Sequence, residues 1–235
     1  VICILFFSVF LPFHPSQKNA KDARGVARAI EVHYHRASTL KARFYEQYSD
    51  GNGGVAAESG TVYFSKPGRM RWEYESPEQK LFIVDGTNVW FYIPSDRTAS
   101  RAKIGASADW RTPLAFLTGK TDFDRLCRSL EIVDSPGAAD KSPADQPAGP
   151  RNTVLRCAPR GSSDDADQQI RDVLLETDSE ARLVRVVVRQ PGKLETEFRF
   201  GDWEENIPIS ETKFHFLPPP GVAIVDESTL AGTLR

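Results

Sequence analysis

The chain has 235 residues, enough for one sizeable domain of the all-β kind. Its 30 basic and 32 acidic side chains leave a formal charge of −2. Neither sign gathers into a long block, so the electrostatic footprint of a nucleic-acid binder is missing.

Val1 to Phe13 form a nearly continuous apolar run that ends among Pro12 and Pro15. It is shorter than the roughly 20 residues a membrane-spanning helix needs, and it reads as the apolar part of a secretion signal. The alternative is a buried N-terminal strand. The chain starts at Val1 without a basic stretch, so the extreme N-terminus of that signal is expected upstream, with residues 1–20 its remnant and cleavage near Ser16 to Ala20. Cys3 does not follow a run of small residues that would mark it for lipidation. The remainder, 21–235, is expected to be one domain exported to the periplasm.

From Asp22 to Ser38, Val26, Ala29, Ile30, His33 and Ala37 recur at helical spacing, which predicts an amphipathic helix. At Thr39 the period changes to two: Leu40, Ala42 and Phe44 alternate with Lys41, Arg43 and Tyr45, the pattern of a half-buried strand. The glycines of Asp50 to Gly54 supply a hairpin loop. Further strands are predicted at 60–65, 69–75, 80–85, 89–93 and 98–104, separated by Lys66-Pro67-Gly68, Ser76-Pro77 and Asp85-Gly86. Short strands at even spacing imply a meander.

Between Thr112 and Ser129, Pro113 followed by Leu114, Phe116, Leu117 and Gly119, then Phe123 and Leu126, predicts two short helices. Residues 134–152 hold four prolines among Gly, Ala and Asp and form a mobile insertion, and 159–169 is a second polar loop. Strands follow at 170–176, 183–189, 195–202 and 213–216. Cys127 and Cys157 flank the insertion. If the strands on either side fold back about Val133 and Val154, Cys157 lies opposite Ser129 or Leu130, which predicts a disulfide; the alternative is two separate buried thiols.

Catalytic signatures do not emerge. Gly-x-x-x-x-Gly-Lys, Gly-x-Ser-x-Gly and His-Glu-x-x-His are missing from the sequence. His33 and His35 stand two apart on the predicted helix and point to different faces, so they make a poor metal pair. Asp122, Asp124, Asp164, Asp165 and Asp167 lack the glycine and glutamate spacing of a calcium loop and read as solvated. Neither metal, cofactor nor enzymatic activity is expected.

The informative stretch is Ser65 to Pro77. Met70, Trp72 and Tyr74 fall on one face of a strand, Arg69, Arg71 and Glu73 on the other, and downstream Trp90 and Tyr92 share a face opposite Phe91. An aromatic β core alone accounts for this pattern. Its order and spacing, from Lys66-Pro67-Gly68-Arg69-Met70-Arg71-Trp72-Glu73-Tyr74 through Asp85-Gly86 with Trp90 and Tyr92 to Phe214-x-Phe216 and Pro219-Pro220-Gly221-Val222, resembles the LolA family of outer-membrane lipoprotein carriers.

The resemblance implies a mainly β fold: an antiparallel incomplete β-barrel, or half-barrel, with an N-terminal helix and short lid helices. It implies a hydrophobic cavity that takes lipoprotein acyl chains, walled by Met70, Trp72, Tyr74, Trp90 and Tyr92 on the sheet and Leu114, Phe116 and Leu117 on the lid. Lys66 stands where many members have an arginine that tethers the closed lid. The resemblance also implies a monomer whose partners are acylated lipoproteins, an inner-membrane lipoprotein-releasing ABC transporter and an outer-membrane receptor lipoprotein. The competing reading is a periplasmic lipid or lipoprotein sensor that regulates a partner protein on the same fold.

Overall fold

A computed structural model describes residues 17–103, 117, 122–134, 152–160 and 170–226. The signal-like run, Leu114, Phe116, most of the Pro-rich insertion and most of the second polar loop lie outside the described residues.

One helix, α1 (Gln17–Arg36), is followed by β1 (Thr39–Ser49), β2 (Val55–Ser65), β3 (Arg69–Ser76), β4 (Lys80–Val84), β5 (Asn88–Ile93) and β6 (Thr98–Lys103). Then come a single turn of helix, α2 (Phe123–Leu126), and β7 (Cys127–Val133), β8 (Thr153–Pro159), β9 (Asp172–Thr177), β10 (Leu183–Arg189), β11 (Glu195–Glu205) and β12 (Ala223–Asp226). All twelve described strands join one sheet in the order β12-β6-β5-β4-β3-β2-β1-β11-β10-β9-β8-β7. The sheet is open and curled, so the mainly β half-barrel with its N-terminal helix is the observed architecture.

Two meanders are stitched together where β1 pairs antiparallel with β11, Phe44 opposite Phe200 and Glu46 opposite Phe198. Because side chains alternate across a strand, this register sends Leu40, Ala42 and Phe44 to the same face as Phe198 and Phe200. That inner face holds the main core, and α1 packs on it through Ala23, Ala27, Ile30, Tyr34 and Ala37. The stripe is rotated from the expected one: Ala29 is exposed and His33 half-buried, its Nε2 2.8 Å from Glu205 Oε1. Tyr34 causes the rotation, since its ring reaches the core while its hydroxyl accepts the Leu183 N–H at 2.8 Å.

Two further expectations are corrected. β2 begins at Val55, because residues 55–58 continue the ladder with β1 beyond Gly60. Of the two short helices expected between Thr112 and Ser129, the first lies outside the described residues apart from Leu117; the second is α2, capped by the Asp122 carboxylate, which accepts the Arg125 N–H at 2.9 Å, and Cys127 already belongs to β7. Residues 213–216 are not a strand. Glu211–Phe214 is a 3₁₀ turn begun by Ser210, and residues 206–222 cross the outer face of β3 to β5 as a strap. The strap ends in β12, which pairs parallel with β6, a pairing that so short a segment does not announce in its sequence.

β7 and β8 pair with Val133 opposite Val154 and Leu130 opposite Cys157, with a register shift between Cys127 and Ser129. Cys127 and Cys157 are joined by a disulfide, with Cα atoms 5.4 Å apart.

Candidate functional site: the inner face of the half-barrel

β3 runs down the middle of the first meander with Met70, Trp72 and Tyr74 all pointing inward and buried. Cross-strand pairing extends each into a row. Leu40, Phe64, Met70, Val84 and Val89 form the first; Ala42, Val62, Trp72, Phe82 and Phe91 form the second. The third contains Phe44, Gly60, Tyr74 and Lys80. Gly60 is required there: a Cβ would stand 1.9 Å from the Glu73 carbonyl oxygen and 3.0 Å from the Phe44 ring. With the glycine, Phe44 packs edge-on against Trp72 and Tyr74, ring centroids 4.8 and 5.0 Å apart. Phe198 stands 5.5 Å from Trp72 on the other side.

Beyond this third row the inner face turns polar. The Tyr74 hydroxyl donates to Glu46 Oε2 at 2.8 Å, and Lys80 pairs with Glu58, which lies opposite Glu46. The face is therefore graded, aromatic through its middle and hydrogen-bonding at one margin. At the other margin sits the C-terminal end of α1, where the Lys66 ammonium donates to the Tyr34 carbonyl at 2.6 Å. A helix leaves its last carbonyls without partners in the helix, and a cation there is favourable for both hydrogen bonding and the helix dipole. Burial pushes the Lys66 amine below its usual range. The Asn206 Oδ1 accepts the Ser38 N–H at 2.8 Å, and the Thr39 hydroxyl donates to the Ile207 carbonyl at 2.6 Å, completing the clamp.

This bears on the roles read for two groups. Among the described residues Lys66 ties down α1 through the helix carbonyl; of the lid residues only Leu117 is described, fully buried in the core, and a tether to the lid lies outside the described residues. Trp90 and Tyr92 do not wall the inner face. Two antiparallel steps from β3 place Phe82 opposite Trp72 and Phe91 opposite Phe82, so Phe91 and Val89 face inward and their neighbours outward. Outside, Trp90 and Tyr92 pack on Phe216 of the strap, each with centroids 5.2 Å away, and Arg101 covers Trp90 at 5.4 Å. The Trp90 indole N–H donates to Asp85 at 3.2 Å. Met70, Trp72, Tyr74 and Leu117 are brought together as expected, all buried in one core cluster that also takes in the inward stripe of α1. Clefts of about 230 and 240 Å³ do open nearby between α1, α2 and β7, with the charged side chains of Arg24, Arg28, Asp124 and Arg128 among their linings.

The family profile described as outer membrane lipoprotein carrier protein LolA matches residues 35–139, a span that includes β1 to β5 and therefore all three inner rows. Over that span the chain is similar to the LolA family. The outer-membrane lipoprotein carrier protein of Nitrosomonas europaea is 27% identical over 201 residues, covering 84% of this chain and 87% of that one. Its counterpart in Nitrosospira multiformis is 25% identical over 226 residues, covering 94% and 97%. A crystal structure of an uncharacterized conserved protein from Thermus thermophilus superposes with a TM-score of 0.52 at 13% identity, covering 88% of this chain and 99% of that chain, a likeness of fold.

The inner face of the sheet also uses Phe44, Phe64, Phe82, Phe91, Phe198 and Phe200, none of which the sequence reading assigns to the cavity. The signal is present in Phe198-x-Phe200 and in Phe44, since alternate positions of a strand share a face. Phe64, Phe82 and Phe91 need the cross-strand register.

Proposed function

We propose that this protein is a periplasmic carrier that takes the acyl chains of lipoproteins onto the inner face of its half-barrel. It receives them from an inner-membrane lipoprotein-releasing ABC transporter and delivers them towards the outer membrane, where a receptor lipoprotein accepts them. The observation that carries this reading is the continuous apolar surface of the two rows around Met70 and Trp72, in one core cluster with the buried stripe of a helix whose last turn is held by one lysine. Relatives named as carriers over most of their length support the same reading, and give no support to catalysis.

Magnitudes restrict how such a carrier works. Burying one methylene is worth about 0.8 kcal/mol, so one long acyl chain contributes roughly 10 kcal/mol when fully buried. Two or three would reach the ceiling of non-covalent affinity, roughly 18–21 kcal/mol, and the cargo would never leave. A covered inner face resolves this, because the cargo must displace α1 and Leu117 before it can bind. The free energy of uncovering is subtracted from the acyl contribution and returned on delivery, so release needs no nucleotide.

The test is release of newly made lipoproteins from spheroplasts into the medium by purified protein. Soluble complexes with acylated lipoprotein, and none with a variant lacking the acylated cysteine, are expected. Release that ignores acylation would sink the proposal.

A further inference from the structure

Trp72 is fully buried, and its indole Nε1 has no hydrogen-bond acceptor among the described residues. The indoles of Trp90 and Trp203, by contrast, donate to Asp85 at 3.2 Å and to the Leu183 carbonyl at 2.8 Å. Around Trp72 stand the rings of Phe44, Phe64, Phe198 and Phe200, with centroids 4.8 to 6.2 Å away. An ordered water needs two to four polar partners, and these rings offer none. A buried donor without an acceptor carries its full desolvation penalty, which phenylalanine at this position would not incur.

The place of this donor in the graded face is specific. Trp72 lies in the last wholly apolar row, next to the row of Tyr74, whose hydroxyl meets Glu46 at the polar margin. An esterified acyl chain has the same order of polarity: hydrocarbon, then a carbonyl that accepts one hydrogen bond, then a polar glyceryl group. We propose that the Trp72 indole N–H donates to the ester carbonyl of bound acyl cargo, so that the site reads an acyl ester and not merely a hydrocarbon. This rests on the inner face being the acyl site, and it adds a recognition determinant to it.

A single neutral hydrogen bond of this kind corresponds to about a three- to tenfold preference for ester over ether linkage. Wild-type protein and Trp72→Phe are titrated with a dipalmitoylglyceryl-cysteine peptide and with its dialkyl ether analogue. Diacyl and dialkyl phosphatidylglycerol run alongside to tell a lipoprotein source of the ester from a phospholipid one. Wild type is expected to prefer whichever ester is its cargo, and Trp72→Phe to lose that preference and bind ester and ether alike, whatever its overall affinity. In the wild-type protein the indole ¹⁵N–¹H signals of the four tryptophans provide a second readout that does not depend on the variant folding. The Trp72 signal, assigned by elimination with Trp90→Phe, Trp110→Phe and Trp203→Phe, should move downfield with ester and not with ether. Equal binding of ester and ether by wild type, a preference retained by Trp72→Phe, or an indole signal indifferent to the ester would each overturn the proposal. Failure of every probe to bind wild type would instead overturn the acyl-carrier reading beneath it.

Discussion

Lys66 supplies one hydrogen bond to one carbonyl, and that bond fastens the end of the helix that roofs the inner face. Lys66→Leu is expected to lower stability by about 0.5–1.5 kcal/mol and to raise the rate of cargo loading, whereas Lys66→Arg, which keeps a donor in reach, should do neither. Urea unfolding and the kinetics of lipopeptide uptake read the two effects separately. Asp85 works similarly at the β4–β5 turn: burial raises its carboxyl pKa, but the N–H groups of Asn88 and Thr87, the Asn88 amide and the Trp90 indole outweigh this and hold it below the ordinary 3.8. The unfolded chain therefore binds this proton first as pH falls. The contribution of Asp85 is complete above that ordinary value and is lost as pH drops through the depressed folded one. Comparing wild type with Asp85→Asn, the stability gap should be full well above the ordinary value of 3.8 and close as pH falls through the depressed folded one. A gap that widens on acidification would contradict the assignment.

At the scale of elements, the disulfide closes a loop with a sequence separation of 30 around the Pro-rich insertion. Opening it by Cys127→Ser with Cys157→Ser should cost about 3–4 kcal/mol, read as a lower urea midpoint matched by chemical reduction of the wild type. Loss much smaller than this would mean that the β7–β8 ladder is ordered equally well without the bond. The strands themselves are legible because a period of two survives any context: β1, β3, β10 and the β7–β8 register follow directly from the placing of apolar residues. What a period cannot tell is which face is inside when both are covered. Trp90 and Tyr92 are large and aromatic, yet they are covered by the strap, and only pairing from β3 through β4 reveals that Phe91 is the inward residue. The strap is illegible for the related reason that Phe214-x-Phe216 alternates without belonging to a ladder. α1 is placed correctly by its period but rotated, since its alanines and Tyr34 carry the buried stripe while the more hydrophobic Val26 is only partly covered.

For the molecule as a whole, the two faces of the first meander are assigned different work. The inner face is apolar and graded, and α1 shares its core; the outer face of the same strands is fastened by the strap through Phe214, Phe216 and the Arg101–Asp226 ion pair. On the proposed carrier reading, opening one side while the other stays bound would let the sheet keep its shape as cargo enters. The measurement that tests this most directly is site-specific photo-crosslinking during lipoprotein release from spheroplasts, with benzoylphenylalanine placed either at Phe91 or at the adjacent Tyr92. The account predicts crosslinks to acylated lipoprotein from the inward Phe91 position and none from the outward Tyr92 position; crosslinks from Tyr92 with none from Phe91 would contradict it.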